Sequence, residues 1–87
     1  MTHNLTEMER NTLEDMTYDD FYENGVDSCL WADNFLDFSR YDSKITRGVL
    51  SSLIKKGIIR PIIRGRDGVI CFTPYGKQVM TDLGFDK

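Results

Sequence analysis

At Gly57 this 87-residue chain switches from a helical hydrophobic repeat to a run of β-branched residues, so a helix must end there and pass almost directly into strand. Upstream, with Ile45 set at zero on a helical wheel, Val49, Leu53, Leu50 and Ile54 fall at about 40°, 80°, 140° and 180°, which is one apolar stripe. The spacing predicts a helix over 43–56 with Ser43 as its N-cap and Gly57 as the residue that closes it. Downstream, Ile58 to Arg64 and Val69 to Thr73 are strand-forming, and Gly65-Arg66-Asp67-Gly68 supplies the turn, giving a hairpin over 58–73 with its tip at 65–68. Pro61 has no amide hydrogen to donate, so its strand is expected at a sheet edge, or with that position facing away from its partner strand. Thr73-Pro74 is a cap followed by proline at the first helical position, which opens a short helix over 74–83.

The face of the 43–56 helix opposite its apolar stripe carries Lys44, Arg47, Gly48, Ser51 and Lys55, long cations interleaved with residues small enough for close approach. On an isolated helix such cations are commonly no more than solvated. Their setting argues for more. Residues 1 to 39 hold ten acids and one base, whereas residues 40 to 66 hold eight bases and one acid, so the net charge of −3 conceals a strongly divided molecule. Arg64 and Arg66 stand at the hairpin tip, where a long cation reaches a phosphate or a minor groove, or else serves only solubility.

The acidic half has its own order. Thr6-Glu-Met-Glu9 is a capping-box pattern, and Leu5, Met8, Thr12, Leu13 and Met16 follow at helical spacing. One bent helix or two short ones are expected over 5–24, ending at Asn24-Gly25. Cys29, Leu30, Ala32, Phe35, Leu36 and Phe38 mark another helix over about Ser28 to Ser39, and the short link Arg40-Tyr41-Asp42 makes 28–56 a helix-turn-helix, although the link lacks the usual glycine.

With these residues in place, the run Gly48 to Ile59 (GVLSSLIKKGII) followed by a hairpin and Phe72-Thr73-Pro74-Tyr75-Gly76 resembles the "L…L-x-x-x-G-[LI]-[IV] … L-T-x-x-G" signature of bacterial winged-helix proteins, of the MarR-like class and of small phage and plasmid proteins. The likeness covers roughly the last half of the chain. It implies a single α+β domain, mainly α: a winged helix-turn-helix with three or four helices, a two-stranded hairpin wing and a short C-terminal helix. It also implies that 43–56 is the recognition helix and 65–68 the wing tip, so that Lys44, Arg47, Ser51, Lys55, Arg64 and Arg66 would meet double-stranded DNA. The long terminal helices through which MarR-like proteins dimerise have no counterpart here, and a homodimer would use the first helix, the last helix or surplus aromatic surface.

Other chemistries find little support. His3 is the only histidine, and no Ser/His/Asp or Cys/His set can be assembled, so no enzyme activity and no cofactor are expected. Asp19, Asp20 and Glu23 have no spaced histidine or phosphate loop beside them and are expected to form a solvated acidic face rather than a metal site. Cys29 and Cys71 lie far apart in apolar neighbourhoods and are expected as two buried, reduced thiols. No apolar run is long enough for a membrane span and no leader is visible, so a cytoplasmic location is the expectation. Two functions remain: sequence-specific DNA binding by a small regulator, or a non-catalytic interaction module of a mobile element whose acids Asp19, Asp20 and Glu23 bind a basic protein. Seven aromatics between Tyr18 and Tyr41 exceed what a small core hides, and the surplus would suit an interface.

Overall fold

Thr6 opens the first helix as its pattern foretells. In the computed structural model, which describes residues 5–64 and 67–85, its hydroxyl accepts from the Glu9 amide (3.0 Å) while the Glu9 carboxylate accepts from the Thr6 amide (2.8 Å). This helix, α1, spans Glu7–Met16 and stops there; residues 17–24 form turns rather than more helix, followed by a single 3₁₀ turn at Gly25–Asp27. The acidic segment is therefore half as helical as expected. Its turns are held by local side-chain bonds, such as the buried Asp19 carboxylate accepting from the Phe21 amide (2.8 Å) and from Asn34 Nδ2 (3.2 Å).

The helix expected over Ser28 to Ser39 divides. Cys29–Trp31 is a strand, β1, and only Ala32–Phe38 is helical, α2. The next helix, α3, runs over Ser43–Lys55, then β2 over Ile59–Arg64, β3 over Asp67–Phe72 and α4 over Pro74–Asp82. The sheet has three antiparallel strands in the order β1-β3-β2, so the wing is not a bare hairpin, and β2, with Pro61, is an edge as proline requires. Asp67 and Gly68 belong to β3, paired with Arg64 and Ile63; the rest of the expected turn, Gly65 and Arg66, lies outside the described residues.

Register sorts the sheet by face. Leu30, Ile70, Ile59 and Phe72 join Leu13, Met16, Phe35, Leu53, Ile58, Val79 and Met80 in one core between α1, α3, α4 and the sheet. The alternate positions Cys29, Trp31, Arg60, Val69 and Cys71 fall on the other face. Order and topology make this an α+β winged helix, with α2 and α3 as the helix-turn-helix and β2-β3 as the wing.

Three details of α3 depart from the wheel. Its N-cap is Asp42, whose carboxylate accepts from the Ile45 amide (2.9 Å), rather than Ser43. Its buried face is Thr46, Val49, Leu50 and Leu53, while Ile45 and Ile54, at the two margins of the expected stripe, are about two-fifths exposed. The centre of that face passes between Val49 and Leu50, which brings Thr46 inward. Its hydroxyl donates to the Tyr41 carbonyl (3.2 Å) and lies 3.1 Å from Ser39 Oγ, so a polar residue is satisfied at a core position. Gly57 ends the helix at φ +76°, a left-handed conformation suited to glycine.

Candidate nucleic-acid interface

Packing of Thr46, Val49, Leu50 and Leu53 inward turns Lys44, Arg47, Gly48, Ser51 and Lys55 outward together, and all five are exposed. Among the described residues, no salt bridge engages Lys44, Arg47 or Lys55. A Cβ built on Gly48 meets no atom within 4 Å, so nothing inside the protein requires glycine there. The β2 backbone brings Arg64 to the end of the strand pair; its side chain and Arg66 lie outside the described residues.

Two other cations of the same segment, Arg40 and Lys56, are spent within the fold, which the sequence did not reveal. Arg40, in the turn between α2 and α3, sends Nε and Nη2 to both oxygens of Asp15 (2.8–3.1 Å), a further bond from Nη2 to Glu14 (3.1 Å), and its backbone amide to Asp15 Oδ2 (3.1 Å). The hydrogen bonds it donates to Asp15 and then to Glu14 raise the pKa of its guanidinium above the ordinary arginine range. Asn11 Nδ2 donates to the Tyr41 hydroxyl (3.1 Å) in the same turn. The helix-turn-helix link thus needs no glycine, because α1 side chains hold it.

A second tie lies behind α3. Glu9, almost fully buried, accepts from Lys56 Nζ (2.6 Å) and from the Ser52 hydroxyl. Burial alone would raise its pKa, but the hydrogen bonds from Lys56, Ser52 and the Thr6 amide outweigh this and hold the carboxyl at about 2. Lys55 and Lys56, adjacent in sequence, therefore have different tasks: one faces solvent on the outer face and the other clamps α3 to α1.

The acids expected to face a partner are divided too. Asp20 and Glu23 are exposed, but Asp19 is buried and committed to its turn. Of the aromatics, Tyr22 and Phe35 are core, whereas Tyr18, Phe21, Trp31 and Phe38 are at the surface. Among the described residues no helix is long and apolar enough to cross a membrane.

The cysteine expectation is overturned. Cys29 and Cys71 are directly opposed in β1 and β3 and form a disulfide, with Cα atoms 4.5 Å apart. Their separation of 42 positions in the sequence hides a contact that only the unanticipated strand β1 creates. Cys71 is buried but Cys29 is exposed.

A winged helix with an unpaired basic face on its second helix-turn-helix helix is the class that fold and surface define. No family profile and no curated protein sequence matches the chain. Solved structures do. BpsR of Bordetella bronchiseptica, a protein whose DNA binding is regulated by 6-hydroxynicotinic acid, superposes with a TM-score of 0.69 over 94% of this chain at 16% identity. The chain spans 54% of the BpsR chain's length. AF1382 from Archaeoglobus fulgidus superposes with a TM-score of 0.70 over 93% of this chain and 85% of its own, at 11% identity. At these identities the likeness is one of fold.

Proposed function

We propose that the protein is a sequence-specific double-stranded DNA-binding regulator of the MarR-like winged-helix kind, inserting α3 in the major groove and resting the wing on the adjacent groove or backbone. The observation that carries this reading is the division of cations on the helix-turn-helix: Arg40 and Lys56 are neutralised by α1, while Lys44, Arg47 and Lys55 share one exposed face with Gly48 and Ser51. A cationic ridge with small residues between its long ones suits phosphates on either side of a groove and backbone approach between them. Arg64 and Arg66 extend the charge along the chain toward the wing tip. The fold likeness to BpsR supports the same reading.

The alternative, a module whose acids capture a basic protein, has less support, because Glu9, Glu14, Asp15 and Asp19 already have partners inside the chain. Fluorescence anisotropy against mixed-sequence duplex at about 50 and about 200 mM salt tests the proposal. The expected result is binding that weakens steeply with salt and is abolished by Arg47→Glu with Arg64→Glu while the circular dichroism spectrum is retained. Affinity surviving that double charge reversal in a folded protein would remove α3 and the wing as the binding surface.

A further inference from the structure

Four observations meet at β1. It is a strand of only three residues, and the Cα separation of its first pair, Cys29 with Cys71, is that of a non-hydrogen-bonded antiparallel pair. In an alternating ladder the close exchange of backbone hydrogen bonds then falls on Leu30 and Ile70. The helix that follows, α2, has seven residues and begins at Trp31 without any side-chain cap. The start of α2 therefore depends on a short strand and one covalent bond, while Phe35, the Asn34–Asp19 bond and the ties of Arg40 hold its later part.

That bond is open to chemistry. Cys29 is exposed on the outer face of the sheet, outside the core cluster, and Cys71 stands in register between Cys29 and the exposed Arg60 of β2. Cys29, the exposed member, is the end of the bond that an incoming thiolate reaches first, and the positive charge of Arg60, paired with Cys71 on the same sheet face, favours departure of Cys71 as a thiolate.

We propose that Cys29–Cys71 is a redox-active pair, reduced and re-formed by exchange with dithiol and disulfide partners, and that its oxidised state fixes β1 and the start of α2 against β3 of the wing. Reduction proceeds in two steps. A thiolate of the dithiol attacks Cys29 Sγ, forming a mixed disulfide and releasing Cys71 as a thiolate that takes up a proton. The second thiol of the reductant, as thiolate, then attacks its own sulfur in the mixed disulfide, releasing Cys29, which is protonated in turn. Two electrons pass from the dithiol to the protein disulfide and the reductant leaves as its cyclic disulfide; oxidation is the reverse, with a disulfide as the oxidant. With the bond open, β1 is held by a few backbone hydrogen bonds and the start of α2 gains freedom. The consequence for DNA rests on the function proposed above: a first helix of the helix-turn-helix whose start has gained freedom must be ordered again on binding, which weakens affinity.

The test uses the full chain, oxidised or reduced with dithiothreitol, together with a variant carrying Cys29→Ser and Cys71→Ser. Duplex affinity by anisotropy, amide hydrogen exchange and circular dichroism are read on each. The expected result is an affinity about tenfold weaker on reduction, a coupling of ordinary size. It comes with faster exchange confined to 29–38 and an unchanged spectrum. The double variant should match the reduced protein and ignore dithiothreitol. Equal affinity and equal exchange in both states overturn the proposal, and so does unfolding of the whole domain on reduction, which would make the bond a structural staple. DNA binding absent in both states refutes the function proposed above and leaves exchange to decide: acceleration confined to 29–38 upholds the redox tie, and unchanged exchange overturns it.

Discussion

Gly48 occupies the middle of a 13-residue helix with open space where a side chain would be, an arrangement that costs helix stability and is repaid by nothing in the fold. Gly48→Ala should therefore stabilise the free protein by about 0.5–1 kcal/mol in urea denaturation. If the α3 backbone lies against DNA at this point, the same change lowers duplex affinity, so stability and binding move in opposite directions. Affinity unchanged in the stabilised variant would argue that the helix does not approach so closely. Glu9 makes the contrasting case of a residue kept for the fold. Its folded pKa, about 2 against an ordinary 4.5, means that the native state favours the ionised carboxyl. Its contribution is fully present above pH 4.5 and is lost as pH falls through 2. At neutral pH the shift corresponds to on the order of 3 kcal/mol. Glu9→Gln should be less stable than the parent at neutral pH, with the gap closing as denaturation curves are taken down through that acid window. A gap that stays constant with pH would show that the Glu9–Lys56 pair is not its cause.

At the scale of elements, the Thr73-Pro74-Tyr75-Gly76 signature has a physical reason. Thr73 caps α4 by accepting from the Gly76 amide (2.8 Å), donates to the Gly57 carbonyl, and receives the end of β3 through its own amide bond to the Ile58 carbonyl (3.1 Å). One threonine thus joins the end of α3, the start of β2 and the start of α4. Gly76 is needed because a Cβ there would lie 1.8 Å from the Ile58 carbonyl oxygen, in backbone that cannot swing aside as a side chain would. Gly76→Ala should cost about 3 kcal/mol or more, well beyond an ordinary overpacking penalty. A thermal melt close to that of the parent would show that α4 can shift at little cost. These junctions were legible in the sequence because their determinants are local: a capping box at Thr6-Glu9, a left-handed glycine at position 57, a Thr-Pro cap at 73–74. What was not legible depends on distant partners. Cys29-Leu30-Trp31 runs into helix-like spacing and is a strand only because β3 lies beside it; Thr46 is core only because Ser39 and Tyr41 satisfy its hydroxyl. The outward set Lys44, Arg47, Ser51 and Lys55 was readable from periodicity, which also turns Lys56 toward the apolar side, but nothing in the spacing named Glu9 as the partner of Lys56.

For the whole molecule, the division of charge along the chain includes an internal neutralisation of Arg40 and Lys56. The acids of α1 face the back of the helix-turn-helix and take up Arg40 and Lys56, while the outer face of α3 keeps its cations. Phe85, beyond α4, is tied to the acidic half, where the Tyr22 hydroxyl donates to its carbonyl (3.0 Å) and Arg10 lies over its ring. A polyanion approaching α3 therefore meets positive charge first, with the compensating acids on the far side of the helix, a distribution that favours steering and weakens with salt. If Lys44, Arg47, Lys55, Arg64 and Arg66 each neutralise one phosphate, log affinity against log salt should fall with a slope of roughly −4.5 per protomer. Arg40 and Lys56 add nothing to it, because releasing them from carboxylates would offset what their phosphate contacts return. The adjacent lysines make the sharpest comparison. Lys55→Ala should flatten the slope by about 0.9 and leave the unfolding midpoint almost unmoved, since an exposed cation without an ion pair contributes little to the fold. Lys56→Ala should leave the slope near its parent value while lowering stability, because Glu9 stays buried with its strongest partner removed. Salt titrations of the parent and the two variants, each paired with a denaturation curve, decide it: equal slope changes for the two lysines would show that the α1 clamp opens on the nucleic acid and that the internal neutralisation does not survive binding.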